Sequence, residues 1–127
     1  MNKANKISDA ELEIMKILWE ADRPVSTNII YKKLQEQMGW DRSTVRTLIK
    51  RLHEKGAIIQ EKLDVYCYST AVSEAEYLDT QTKSFIERLY GGSVKSLAAS
   101  LVQSHNLSME DIEELKEFVK SGDDLHE

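Results

Sequence analysis

The chain has 127 residues, 41% hydrophobic and 31% charged, a globular balance that suits one compact domain or two small ones. No apolar run is long enough for a transmembrane helix, and the opening MNKANKISDAELEIM has no apolar signal-peptide core, so a cytoplasmic protein without membrane insertion is expected. The net charge of −5 is an unpromising total for a nucleic-acid binder, but it is segregated: residues 1–70 hold 12 Lys/Arg against 10 Asp/Glu, residues 71–127 hold 5 against 12, and residues 42–62 hold 6 against 2. Local charge, not the total, sets attraction to phosphate.

Ser8 with Glu11 three residues on is a capping-box pattern opening a first helix. Leu12, Ile14, Met15, Ile17, Leu18 and Trp19 make it apolar on nearly every side, as for a central, many-sided core helix. It ends near Ala21 and Asp22, where Arg23-Pro24-Val25 runs extended because a helix does not easily pass Pro24. Ser26 or Thr27 caps a second helix, with Ile30, Leu34 and Met38 on its buried side and Gly39 as terminator. Asp41 caps a third, which Gly56 closes. Strand-like runs at Ala57–Glu61 and Val65–Thr70 follow, joined around Lys62-Leu63-Asp64. Helix, short strand, two helices and a hairpin describe a winged helix-turn-helix. The expected fold is mainly α with a small β-hairpin: a DNA-binding domain over 1–71 and a three-helix dimerisation region over 72–127.

In the third helix Val45, Leu48, Ile49 and Leu52 form one apolar stripe at i, i+3, i+4 and i+7. The other side carries Ser43, Thr47, Lys50 and Arg51, with Arg46 on its flank. By itself this is an ordinary amphipathic helix. Its place between a second helix and a hairpin makes it the helix that enters the major groove of double-stranded DNA. Ser43, Arg46, Thr47 and Lys50 are then nearest the base edges. Arg42 and Arg51 hold phosphates, Thr44 helps near the helix start, and Lys62 reaches phosphate from the hairpin.

The second half begins at Ser73, with Glu76 completing another capping box. Leu78, Phe85, Ile86 and Leu89 face one side of this fourth helix, and Gly91-Gly92 ends it. Val94, Leu97, Ala98, Leu101 and Val102 mark a fifth. Ser108 caps a sixth, with Ile112, Leu115 and Val119 inside. Three such helices hold too little chain for a sturdy separate core. Leu78, Phe85, Ile86, Leu89 and Tyr90, with Leu97, Leu101, Ile112 and Leu115, are therefore the expected homodimer interface, and a two-fold dimer binds a palindromic operator. The alternative is that these side chains, and Tyr77, pack back on the first half.

Enzyme chemistry finds no footing. His53, His105 and His126 are dispersed, with His53 read as a solvated residue of the third helix in preference to a phosphate contact; the only cysteine is Cys67 within VYCYS, and no Gly-rich phosphate loop appears, so neither metal, cofactor nor catalytic residue is expected. A winged-helix protein-interaction module and a small-ligand-responsive regulator remain the competing readings.

ISDAELEIMKILW, STVRTLIKRLHEKG, VYCYS and FIERLYGGSVKSL together resemble the penicillinase-repressor family of bacterial transcription regulators, from Ile7 to about Val119. The resemblance implies a homodimeric repressor of a promoter palindrome, controlling genes of the β-lactamase and penicillin-resistance type. It gives Thr44, Arg46, Thr47 and Arg51 the DNA-reading role by position. It also implies release by cleavage in the fifth helix after induction of a membrane sensor protease pathway. The family's usual Asn-Phe bond is replaced here by Ser100-Leu101. The copper-responsive branch carries terminal Cys-x-Cys pairs, and KSGDDLHE has none, so copper sensing by that route is not expected.

Overall fold

The computed structural model describes residues 7–122, so the polar run 123–127 and His126 lie outside the described residues. The elements are α1 (Asp9–Ala21), β1 (Val25–Ser26), α2 (Thr27–Met38), α3 (Arg42–Lys55), β2 (Ile58–Lys62), β3 (Tyr66–Thr70), α4 (Glu74–Tyr90), α5 (Val94–Gln103) and α6 (Met109–Ser121). No described helix is long and apolar enough to cross a membrane.

Local chemistry places most boundaries. The Ser8 hydroxyl accepts from the Glu11 amide at 3.1 Å, and the Glu11 carboxylate accepts from the Ser8 amide at 2.9 Å, which closes the capping box of α1. Ser26, not Thr27, caps α2. Asp41 accepts from the Thr44 amide at 2.8 Å and starts α3. Gly39 and Gly56 end α2 and α3 at φ 72° and 79°, a left-handed conformation that favours a residue without Cβ. The short link from Gly39 to Asp41 turns the chain sharply enough to set α3 beside α2.

The first compact unit extends to Gln81. Its sheet runs β1-β3-β2, all antiparallel, with Val25 opposite Tyr68 and the β2–β3 hairpin in register from Ile58↔Thr70 to Lys62↔Tyr66. Ile14, Met15 and Leu18 from α1 meet Ile30 and Leu34 from α2, the α3 stripe Val45, Leu48, Ile49 and Leu52, and Ile58 and Tyr68 from the sheet. The expectation for Met38 is corrected: it stands 45% exposed in the last turn of α2, one helical turn beyond the buried Leu34, where the core has ended.

α1 is also where the sequence reading missed a contact. Glu11 is 1% exposed and forms an ion pair with Lys55, at the end of α3. Burial pushes its carboxyl pKa up. The Lys55 hydrogen bond, the Ser8 amide and the Lys55 charge together outweigh that and hold the pKa below its ordinary value.

The expected domain boundary at 71/72 lies ten residues before the division between the compact units. The two compact units divide inside α4, after Gln81. The reason lies on α1: the Trp19 indole donates to the Val72 carbonyl at 2.9 Å, and its ring packs 5.4 Å from that of Tyr77. The start of α4 is thereby part of the first unit, and for Tyr77 the packing-back alternative holds.

The second unit, from Thr82, contains the rest of α4 with α5 and α6. Gly91 and Gly92 end α4 with positive φ, and the Gly92 amide donates to the Ile86 carbonyl. The Phe85 and Tyr90 rings lie 6.0 Å apart, and the Tyr90 hydroxyl donates to Ser100 Oγ at 3.1 Å. Ser108 and Asp111 make a capping box for α6.

Candidate nucleic-acid interface

The apolar stripe of α3 is buried and its other side is open. Val45, Leu48, Ile49 and Leu52 enter the core, whereas Arg42, Ser43, Thr44, Arg46, Thr47, Lys50 and Arg51 are all exposed. At 3.6 residues per turn, Ser43, Thr47 and Lys50 point most directly away from the core. Arg46 flanks them on one side, and Thr44 and Arg51 on the other. This is a rod anchored on one side and cationic on the other, the form that fits a major groove.

Two of the residues are already engaged. The Ser43 hydroxyl donates to the Asp41 carboxylate at 3.2 Å, which ties it to the helix cap. The Asp41 carboxyl is held below its usual pKa, first by the Thr44 amide, so the cap is an acceptor throughout the physiological range. The Arg42 guanidinium lies 4.3 Å from the centre of the Tyr31 ring on α2, a cation–π contact that orients it toward the α2–α3 corner.

The hairpin adds a second arm. Lys62 Nζ sits 5.4 Å from the centre of the Tyr66 ring, its register partner. At the tip Leu63 is 60% exposed, and Val65 and Tyr66 stand out beside it. The wing thus offers one cation within an apolar and aromatic tip.

Between α3 and the hairpin lies a cleft of about 300 Å³, lined by Thr27, Arg46, Ile49, Lys50, His53, Gln60 and Tyr68. The sequence reading named Arg46 and Lys50 from this group and left His53 as a solvated residue. Thr27, Gln60 and Tyr68 were missed, because they come from three other elements. The alternation of β2 was the one available signal, since it puts Gln60 on the same face as Ile58.

The second unit has a different surface. Ile86, Tyr90, Leu97, Leu101 and Ile112 are half-buried, and no residue of α5 or α6 is fully buried. Leu78, belonging to the first unit, is exposed, as are Phe85, Leu89, Leu115 and Val119. Ala98, Val102, Leu107, Ile112, Leu115 and Val119, with Lys116 and Lys120, line an open groove of about 580 Å³ whose surface is almost wholly apolar. Ser100 and Leu101 lie inside α5.

No group of Cys, His, Asp and Glu able to hold a metal occurs among the described residues.

Comparison with known proteins gives a consistent picture. Residues 7–121 match the family model described as penicillinase repressor. The penicillinase repressor of Bacillus licheniformis is 34% identical over 121 residues, 94% of each chain. The methicillin resistance regulatory protein MecI of Mammaliicoccus sciuri is 37% identical over 119 residues, 93% of this chain and 96% of that one. Among solved structures, the DNA-binding domain of the repressor BlaI matches with a TM-score of 0.53 at 37% identity, over 61% of this chain and 94% of that chain. Monomeric Bacillus licheniformis BlaI in complex with the blaP half-operator matches with a TM-score of 0.50 at 38% identity, over 56% of this chain and 87% of that chain.

Proposed function

The chain belongs to the penicillinase repressor family as a DNA-binding, winged-helix repressor, and on that premise we propose that it covers a palindromic promoter operator as a homodimer. The genes it controls are of the β-lactamase and penicillin-resistance type, and it is released by proteolysis in the C-terminal half. The observation that carries the reading is α3: a buried apolar stripe opposite an exposed Arg42, Arg46, Lys50 and Arg51, in a fold shared with a relative solved on a half-operator.

In this reading Arg46, Thr47 and Lys50 reach base edges, with Ser43 presented by the cap. Arg42 and Arg51 hold phosphates on either side, and Lys62 holds one from the wing. Thr44 supports the helix start. Arg46→Ala is expected to weaken binding of a symmetric operator duplex by about 1–3 kcal/mol per half-site, roughly 5- to 150-fold, and to relax sequence preference at one position. A gel-shift titration against the operator and a scrambled duplex measures both. Unchanged affinity, with the circular dichroism spectrum intact, would remove Arg46 from the interface.

The second copy is argued from the second unit, which leaves Leu89 59% and Val119 71% exposed and carries an apolar groove. Apolar surface of this kind marks an interaction site, and an acidic unit of few helices gains a core by sharing one. The partners are then a second copy, operator DNA and, on induction, a sensor protease pathway.

For release, the Ser100-Leu101 bond is inside α5, and the Ser100 hydroxyl is held by Tyr90. A peptide bond must leave its helix to enter a protease cleft, so cutting proceeds from a locally opened α5. α5 is short, and in the single chain it has no fully buried residue to resist such opening. Mass spectrometry of the protein recovered from induced cells is expected to show a cut within 94–103. Intact protein in fully induced cells contradicts proteolytic release.

A further inference from the structure

The cleft between α3 and the hairpin has a composition that α3 alone does not explain. Three of its lining side chains are basic or can become so: Arg46, Lys50 and His53. Thr27, Gln60 and Tyr68 add neutral hydrogen-bonding groups, and no carboxylate lines it. Arg46 and His53 are seven residues apart, two helical turns, and so share one flank of α3. Thr27 is the first residue of α2 and reaches the cleft because β1 pairs with β3 at Ser26↔Cys67.

The neutral groups are arranged to give protons. The Gln60 amide donates to the Tyr68 oxygen at 2.9 Å. Among the described residues no acceptor takes the Tyr68 proton, which leaves it for an occupant of the cleft. Tyr68 is itself buried, and its ring is fixed in the core. A cleft with donors on four elements and no acid suits an anion. Lys62 and Tyr66 lie on the same face of the hairpin as Gln60 and Tyr68, so the basic track continues from the cleft to the wing tip.

Building on the repressor reading, we propose that this cleft seats one backbone phosphate of the bound duplex. His53, Thr27 and Tyr68 contact it, Gln60 positions the Tyr68 hydroxyl, and Lys50 on the cleft wall keeps its base-edge role. Arg46 at the rim remains directed to the groove. The seat makes operator affinity depend on pH. A phosphate seated beside the imidazole favours its charged form, against the Arg46 and Lys50 charges in the same cleft. The groups facing His53 are Arg46 and Lys50 on its own helix, Thr27 from α2, Gln60 from β2 and Tyr68 from β3. Glu54 follows it in sequence but does not line the cleft.

Fluorescence anisotropy of the full chain on operator duplex, with a salt series at about pH 6 and at about pH 8, tests the seat. Wild type is expected to bind about three- to tenfold more tightly at the lower pH, with a log-affinity against log-salt slope steeper by about one per half-site. His53→Gln is expected to abolish both differences. Tyr68→Phe, which keeps the buried ring, is expected to lose about three- to tenfold at either pH. If His53→Gln keeps the wild-type pH difference, or Tyr68→Phe binds like wild type, the seat is overturned while the repressor reading stands. Should wild type show no salt-dependent duplex binding at all, the repressor reading itself fails. A third arm follows the His53 ring protons by NMR with inorganic phosphate alone. Saturation by free phosphate, with DNA affinity indifferent to His53→Gln, assigns the cleft to a free anion and also overturns the proposal.

Discussion

Leu115→Asp is expected to break the proposed dimer and to lower affinity for the full operator by about 10²–10⁴-fold, while half-operator binding persists. Leu115 is 47% exposed on α6 and lines the apolar groove with Ala98, Val102, Ile112 and Val119. An aspartate there keeps its water in a monomer, so the fold of one chain tolerates it. In a dimer the same carboxylate would be buried in a largely apolar seam, at a desolvation cost that the lining lysines Lys116 and Lys120 offset only in part. The loss comes from avidity: two linked reading heads bind as one event, and two separate heads do not. The reading unit, ending at Gln81, is untouched. Sedimentation velocity with anisotropy on full and half operators measures the outcome. A dimeric Leu115→Asp, or a monomer with full operator affinity, rejects α6 as the interface.

A second large effect is expected far from any DNA contact. Glu11→Ala should destabilise the reading unit by about 2–3 kcal/mol. The Glu11 carboxylate is almost fully buried and is shared between the Ser8 amide and the Lys55 ammonium. Its removal breaks the capping box of α1 and leaves Lys55 without this partner at the end of α3. Loss of one member of a fully buried pair costs about 3–5 kcal/mol, and Lys55 retains some access to water, which lowers the figure. The pair also predicts a pH window. Because the folded pKa of Glu11 lies below its ordinary value of 4.5, the stabilisation is present above that value. It is lost as pH falls from there through the lower folded pKa. Urea midpoints of wild type and Glu11→Gln should therefore converge on acidification below about pH 4. A constant gap down to pH 3 would show that the ion pair adds nothing to the fold.

These expectations rest on features of unequal legibility. The helices were readable because their signals act within a turn or two. The capping boxes at Ser8 and Ser108, the cap at Asp41 and the glycine stops at Gly39 and Gly56 each involve residues no more than four apart. The stripe Val45, Leu48, Ile49 and Leu52 repeats with the helix period, so the buried side of α3, and with it the open basic side, followed from spacing alone. Met38 continues the same kind of repeat on α2 yet is exposed. Periodicity reports direction around a helix, not how far along the helix the core extends.

From the sequence alone follow the order of elements, the hairpin after α3 and the open basic side of α3 on which its proposed reading role rests, since each depends on local pattern. The tertiary structure decided three other things. Glu11 meets Lys55 across 44 residues, the start of α4 is held to α1 through Trp19, Val72 and Tyr77, and Thr27, His53, Gln60 and Tyr68 converge on one cleft. Each joins segments whose separation along the chain carries no periodic signal. Their meeting is set by how the apolar faces pack and by the strand register, and both exist only once the chain has closed on its core.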